Sequence, residues 1–403
     1  MKPMGAIPSE FSGLPLTIGG QSVEPLATRT PAFVYDLGVV GSRIARFRAA
    51  FAGIDLHYAV KANPFAPLLA AMAPLVDGFD IASSGELGFA KDLGKPISFA
   101  GPGKTDAELE AAIAAGVTIN LESEGEATRA LAVAARLGVT PKLAVRVNPE
   151  FELRGSGMRM GGRASPFGVD AERVPALVKR IVAAGAEWRG FHIFAGSQAL
   201  DPGAIIDSQT HTLDLAARLA AQIGLVPPLV NLGGGFGIPY FPGESPVDVE
   251  SIGAALSGRL TSLPEALNGT RFAIELGRWL VGECGIYLTR VVDRKESRGE
   301  VFLVCDGGLN HQLAATGNLG TVVRRNYPIA VATAVAGAPT ETVSVVGPLC
   351  TPLDRLADQV ALPVAQPGDI IAVFMAGAYG LSASPAEFLG HPRPTELLVG
   401  TAT

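Results

Sequence analysis

A lysine, Lys61, directly follows the apolar run 56–60 (LHYAV). At the end of such a run an amine is partly desolvated. Desolvation penalises the ammonium, lowers its pKa and leaves a nucleophile able to form a Schiff base. A lysine paired with a nearby carboxylate explains the residue equally well. Gly233-Gly234-Gly235, continued by Phe236-Gly237, follows the run 229–232. Glycines let backbone N–H groups approach an anion closely, as at phosphate sites, although a tight turn needs them too. Glu275-Leu276-Gly277-Arg278 closes the run 271–275. The arginine could reach the same phosphate, and a surface Arg–Glu pair is the plain alternative. Gly196-Ser197-Gln198 adds either a hydroxyl or an ordinary turn. Lysine, phosphate cradle and carboxylate together are what pyridoxal 5′-phosphate requires: an amine for its aldehyde, donors for its phosphate, and an anion (Glu275) to hold the pyridine nitrogen protonated.

These residues are useful only if the fold gathers them. Apolar runs recur at 56–60, 78–82, 97–100, 117–121, 142–147, 188–194, 229–232 and 271–275. Helical patterns fall between them at 67–74, from Glu86, and at 105–115, 124–137, 171–184, 205–223 and 249–260; the 105–115 segment opens on a Thr-Asp-Ala-Glu N-cap. Continuous apolar runs separated by helices predict a parallel sheet covered on both faces, and eight such units predict a (β/α)8 TIM barrel. A doubly wound open sheet is the competing arrangement. In a barrel the C-terminal strand ends form the working face, where Lys61, Ser197, Gly233 and Glu275 all fall. Beyond 275 the runs 286–293, 301–305, 329–335, 342–346 and 370–374 are short and rich in β-branched residues. They predict an antiparallel β domain, joined by 33–35, with a hairpin tip at 295–300. The expected division is 36–278 for the barrel, and 1–35 with 279–403 for the β domain.

The chain has 403 residues, 48% hydrophobic and 17% charged, with a net charge of −6. It is too apolar for disorder and long enough for two domains. It lacks the roughly 20-residue apolar stretch of a membrane span. No basic face points to nucleic acid or anionic membrane. Three cysteines, Cys284, Cys305 and Cys350, fit a reducing, cytoplasmic compartment; the first two lie in strand-like runs and read as core. The N-terminal MKPMGAIPSEFSGLPL lacks the apolar core of a secretory signal. No CxxC, HExxH or paired His/carboxylate spacing indicates a metal. His192 and Tyr379 each have a core reading beside a functional one. Low charge implies apolar surface hidden in a subunit interface.

In order along the chain, YAVKAN, DIASSGEL, AGSQ, NLGGGFG, ELGR, VCDGGLN, GPLCTPLD and MAGAYG resemble the fold-type III pyridoxal-phosphate decarboxylases, the diaminopimelate and ornithine decarboxylases. The resemblance covers about 31–399. It implies an alanine racemase-like barrel plus β domain, a pyridoxal 5′-phosphate cofactor, and a head-to-tail homodimer with the active site shared across the interface. It implies that Lys61 carries the cofactor and that Asp80, Glu86 and Arg146 line its side of the barrel. Ser197, Gly233, Gly234, Gly235, Gly277 and Arg278 would serve the phosphate, and Glu275 the pyridine nitrogen. Cys350, from the other subunit, would protonate the carbanion after CO2 leaves; Tyr379 would contact the phosphate across the dimer.

Three departures bear on substrate. Phe194 stands where the family places a histidine that stacks on the ring; a phenyl ring stacks but neither hydrogen-bonds nor titrates. Cys350 is followed by Thr351-Pro352, without the acid that holds a distal amine. The segment 310–316 reads NHQLAAT, without the Arg-Pro…Tyr grip of diaminopimelate enzymes. A site lacking those partners discriminates differently, because unpaired buried polar groups are costly. The loop 154–162 (RGSGMRMGG) offers arginines and glycines for a long or anionic substrate, or is an ordinary surface loop. This combination resembles a subgroup associated with polysaccharide-export and natural-product clusters, which implies an L-amino-acid α-decarboxylase acting on an aminoacyl group on an acyl carrier protein. Diaminopimelate decarboxylase is one alternative and a cofactor-binding homologue without catalysis another.

Overall fold

Eight parallel strands close into a barrel in the computed structural model, which describes residues 1–155, 157–159, 161–316 and 325–402. They are Asp55–Ala59, Gly78–Ile81, Ile97–Phe99, Thr118–Leu121, Lys142–Asn148, Glu187–Ile193, Leu229–Gly234 and Arg271–Leu276. The last pairs with the first, Glu275 opposite His57, so no edge is left open. Each coincides with one of the apolar runs. Ile119, Val145, Val230 and Ile274 have no solvent exposure, as strands covered on both faces require. The helices between strands start at the expected signals. Thr105 and Glu108 form a reciprocal capping box, Ser123 accepts from the Glu126 amide, and Gly138 ends the helix Glu124–Leu137 in the left-handed region.

Each barrel strand also carries at least one polar side chain among its apolar ones, including, in strand order, His57, Asp80, Ser98, Asn120, Arg146, His192, Asn231 and Glu275. His192, on strand six, bonds Glu275 on strand eight, so both reach across the barrel interior past strand seven.

The chain divides into two compact units. The barrel unit is Ile44–Gly237 with Pro246–Gly277; the β unit is Met1–Arg43, Ile238–Ser245 and Arg278–Thr403. In the β unit Ala32–Asp36 pairs antiparallel with Gly285–Ser297 and parallel with Thr395–Val399. Ile370–Val373 joins Gly285–Ser297 antiparallel, and Ile329–Val331 extends that edge. Glu300–Cys305 forms the expected hairpin, turning at Arg298 and Gly299, both with positive φ. Thr340–Val346 runs parallel to Glu300–Cys305, so a mainly antiparallel sheet holds two parallel pairs. Cys284 and Cys305 are buried, and burial pushes both thiols up.

Three elements were not expected. Leu37–Ala50 is a helix that carries Gly38 and Gly41 near its start. Gly41 is required there because a Cβ would fall 2.2 Å from the Ala402 carbonyl oxygen. Arg355–Pro363 is a strand whose alternation is broken by Asp358 and by Gln359 at φ 52°. Thr395–Val399 is largely half-exposed and lacks the β-branched texture of its neighbours. Among the described residues no helix is long and apolar enough to cross a membrane.

Candidate active site

Strand one ends at Ala59, and a single 3-10 turn, Val60–Ala62, carries Lys61 beyond it. The Lys61 side chain is 46% exposed, so it is half-buried at the strand end. Its Nζ lies 3.5 Å from Glu275 Oε1 and 5.5 Å from the Phe194 ring centroid. Both readings of this lysine therefore hold at once, a strand-end amine and a carboxylate partner. Gly277 permits this approach of strand eight to the Lys61 turn, since a Cβ there would meet Ala62 at 2.8 Å.

Glu275 is buried. Its second oxygen is 3.0 Å from His192 Nε2. Burial pushes the carboxyl up, but the Lys61 charge and the His192 hydrogen bond outweigh it and hold Glu275 well below the usual carboxylate range. It is an anion at any working pH. His192 is thus more than a satisfied core histidine.

Asp80 is buried on strand two. It accepts from Ser98 Oγ and lies 3.3 Å from His57 Nδ1. Ser98 in turn accepts from Asn120 Nδ2 at 3.1 Å. Burial depresses the His57 imidazole, yet the Asp80 carboxylate wins and the net shift is upward. Glu86, in the first turn of Ser84–Ala90, accepts from the Ala82 amide at 2.6 Å, and burial pushes its carboxyl up. Arg146 on strand five donates to Glu122 at 3.0 Å and lies over the Phe167 ring. It sits in register beside His192, and its charge helps to hold Glu275 down.

The glycine turn ends strand seven. Gly233 and Gly235 have φ of 69° and 80°, and a Cβ on Gly234 would stand 1.9 Å from the Glu275 carbonyl oxygen. The turn therefore rides directly on the strand that carries Glu275. The Gly233 amide donates to Asn231 Oδ1 at 2.9 Å. Gly196–Ser197 pairs antiparallel with Met158–Arg159, so part of the 154–162 loop is strand-paired to the Ser197 segment. Ser156 and Met160 of that loop lie outside the described residues.

Arg278, Cys350 and Tyr379 belong to the β unit; the other expected residues belong to the barrel. Arg278 Nη1 donates to the Tyr240 hydroxyl at 2.8 Å, and its guanidinium lies 4.6 Å from the Tyr379 ring centroid. Tyr379 has φ 53°, in the left-handed region. Cys350 is exposed on the turn before Arg355–Pro363. Asp354 staples that turn. One oxygen accepts from the Leu309 amide at 2.6 Å and the other from Leu349 at 2.8 Å.

Sequence reasoning passed over His57, Glu122, Lys104 and Tyr240. For His57 and the strand residues like it the signal was available: one polar residue inside an otherwise apolar barrel strand faces inward by default. Tyr240 carried no such signal.

The donors present suit pyridoxal phosphate. They are a primary amine, a buried carboxylate ionised for a pyridine N–H, a glycine turn and a serine hydroxyl in the barrel, and a guanidinium one residue beyond Gly277 along the chain. Comparison with known proteins agrees. Residues 37–282 match the family model described as pyridoxal-dependent decarboxylase, pyridoxal binding domain. The chain is 36% identical to the L-glutamyl-[BtrI acyl-carrier protein] decarboxylase of Niallia circulans, over 92% of this chain and 88% of that protein. It is 32% identical to the diaminopimelate decarboxylase of Methanothermobacter thermautotrophicus, over 95% and 90%. The crystal structure of diaminopimelate decarboxylase from M. jannaschi superposes with a TM-score of 0.85 at 27% identity, covering 98% of this chain and 92% of that one. With a strand-end lysine, an ionised barrel glutamate and a glycine turn joined in one (β/α)8 barrel, and with a family match running through all of them, the chain belongs to the pyridoxal-dependent decarboxylases, lyases that use pyridoxal 5′-phosphate.

Proposed function

We propose that this enzyme removes the α-carboxylate of an L-aminoacyl group attached to an acyl carrier protein, and that the active form is a homodimer whose second copy supplies Cys350; Tyr379, expected from the second copy, lies against Arg278 of its own chain and would serve the phosphate from there. One observation carries the substrate assignment. The Cys350 turn offers no acid for a distal ammonium: Thr351-Pro352 follow the cysteine, and the next acid, Asp354, has both oxygens engaged by backbone amides. The similarity to a decarboxylase of a carrier-bound glutamyl group points the same way.

The residues divide the work as follows. Lys61 would be the amine that holds the cofactor and that a substrate amine would replace. Glu275, kept in place by His192, holds the proton on the pyridine nitrogen. Gly234, Gly235, Ser197 and Arg278 bind the phosphate, with Gly233 shaping the turn. Phe194 would offer the ring an apolar face that does not titrate, and Asp80, Glu86 and Arg146 would line the cofactor side of the barrel. The bound cofactor supplies the electron sink for the pair left when the bond from Cα to the carboxylate breaks and CO2 departs. The Cys350 thiol would be the group that returns a proton to Cα, and the Lys61 amine the group that displaces the product amine.

The test is CO2 release from L-glutamyl carrier protein set against free diaminopimelate, ornithine, arginine and lysine. Turnover confined to the carrier-bound group supports the assignment, whereas brisk turnover of a free amino acid removes it. Diaminopimelate decarboxylase is the second reading, favoured by the 32% identity above; it predicts lysine from free diaminopimelate. Lys61→Ala should abolish the visible absorbance of the cofactor-loaded protein. Survival of that absorbance would remove Lys61 from its role.

A further inference from the structure

A second charged assembly lies inside the barrel unit, on the Arg146 side. The Lys104 side chain, between the third strand and the helix Asp106–Ala114, is 1% exposed. Its three N–H groups meet three acceptors: Glu126 Oε1 at 2.7 Å, the Gly101 carbonyl at 2.7 Å and the Asn120 carbonyl at 3.0 Å. The ammonium is saturated. Glu126 uses its other oxygen to accept from the Glu122 amide at 2.9 Å. The Glu122 carboxylate accepts from the Gly101 amide, from Gly168 at 3.1 Å and from Arg146 at 3.0 Å.

Lys104 therefore grips residue 122 by two routes. One runs through Glu126 to the backbone N–H of Glu122. The other runs through residue Gly101, whose carbonyl accepts from Lys104 and whose N–H donates to the Glu122 carboxylate. Glu122 in turn fixes Arg146. Two cations and two carboxylates balance, each with a side chain no more than 8% exposed. Ion pairs this deeply buried return about what their desolvation costs, so stability alone does not account for them. Burial pushes Glu122 up, but Arg146 and Lys104 hold it below the usual range, so it stays an anion.

We propose that Lys104, with Glu126 and Glu122, is a positioning residue of the active site: the chain of contacts fixes the guanidinium of Arg146 beside His192 and Glu275, and cofactor affinity depends on it. The inference rests on the proposed placing of Arg146 against the cofactor. Lys104 itself touches neither cofactor nor substrate.

The experiment titrates pyridoxal 5′-phosphate into wild type, Lys104→Met and the double variant Lys104→Met/Glu126→Gln, following visible absorbance, with Tm measured on each apoprotein. The single variant leaves two buried carboxylates against one cation and should lose both Tm and affinity. The double variant restores charge balance but neither route to residue 122. It should recover Tm to within a few degrees while its Kd stays raised about tenfold or more, the value of one lost charge-assisted hydrogen bond. If Kd recovers along with Tm, the cluster is only structural and the proposal fails; an unchanged Kd in both variants also overturns it. Should Lys104→Met give no folded protein, Glu126→Gln alone breaks the first route. A raised Kd at near-normal Tm then supports the proposal, and an unchanged Kd removes it. A wild-type protein that binds no pyridoxal phosphate would instead sink the functional reading on which this rests.

Discussion

Replacing Glu275 by glutamine is the sharpest test of the active site, because it removes one charge and almost no volume. The carboxylate faces Lys61 at 3.5 Å and His192 at 3.0 Å. The Lys61 pair has a gross attraction of about 5 kcal/mol at an effective dielectric of 20. With Lys61 46% exposed, solvent reduces its net worth to about 1 kcal/mol. Glutamine still accepts from His192, so the fold should hold, with Tm falling by no more than a few degrees. The chemistry should suffer more. An anionic acceptor on a protonated ring nitrogen is worth about 1.5–3 kcal/mol over a neutral arrangement, which is about 10- to 150-fold in rate. The assay is single-turnover CO2 release at saturating cofactor, with Glu275→Asp as the variant that keeps the charge. We expect glutamine to lose that factor in kcat/KM and aspartate to lose less. A glutamine variant within threefold of wild type, with cofactor fully bound, would show that Glu275 does not hold the ring proton. Because Glu275 is held below the ordinary carboxylate range, it should add no titration step to the rate profile in the neutral region.

Other consequences can be checked directly. Burial lowers the His311 imidazole from 6.5 to about 4. The unfolded chain then binds the extra proton between those values, so stability is full above about pH 6.5 and falls by about 3 kcal/mol as pH drops toward 4. Urea melts at pH 8 and pH 5 should differ accordingly, and a His311→Gln variant that keeps the whole difference would refute the assignment. Gly234→Ala drives a Cβ into the backbone of strand eight and should cost about 1–3 kcal/mol in stability as well as weakening cofactor binding; a normal Tm with normal affinity would contradict the close approach described. Cys350→Ser should leave cofactor affinity intact and slow product formation or alter its stereochemistry, and unchanged rate and product would exclude the thiol as proton donor. Tyr240→Phe removes the hydroxyl that accepts from Arg278 and should weaken binding of the cofactor severalfold more than that of dephosphorylated pyridoxal, measured in parallel titrations.

The barrel was legible because a strand buried on both faces must be largely apolar. Eight such runs with helices between them leave few alternatives. The candidate residues at strand ends stood out in a similar way, since Lys61, Gly233 and Glu275 close largely apolar runs. What stayed hidden depends on contacts across space. His192 gains its meaning from Glu275, two strands away around the barrel, and no local spacing announces that pairing. Lys104 looks like any loop lysine until its three acceptors, drawn from separate segments, are seen to converge. The 3-10 turn that carries Lys61 stayed hidden as well, being too short to leave a periodic signal. The helix Leu37–Ala50 was missed because Gly41 answers to the chain at residue 402 rather than to a turn.

The strand Ala32–Asp36 has its two edges satisfied at very different times during synthesis. One partner, Gly285–Ser297, leaves the ribosome about a hundred residues before the other, Thr395–Val399. In between, a strand that is buried along its whole length in the finished fold has a bare row of amides and carbonyls that any neighbouring nascent chain can occupy. Translation that stops short of residue 395, or a fusion that prevents those last residues from docking, should therefore yield aggregates, even though every residue of the catalytic barrel has already been made.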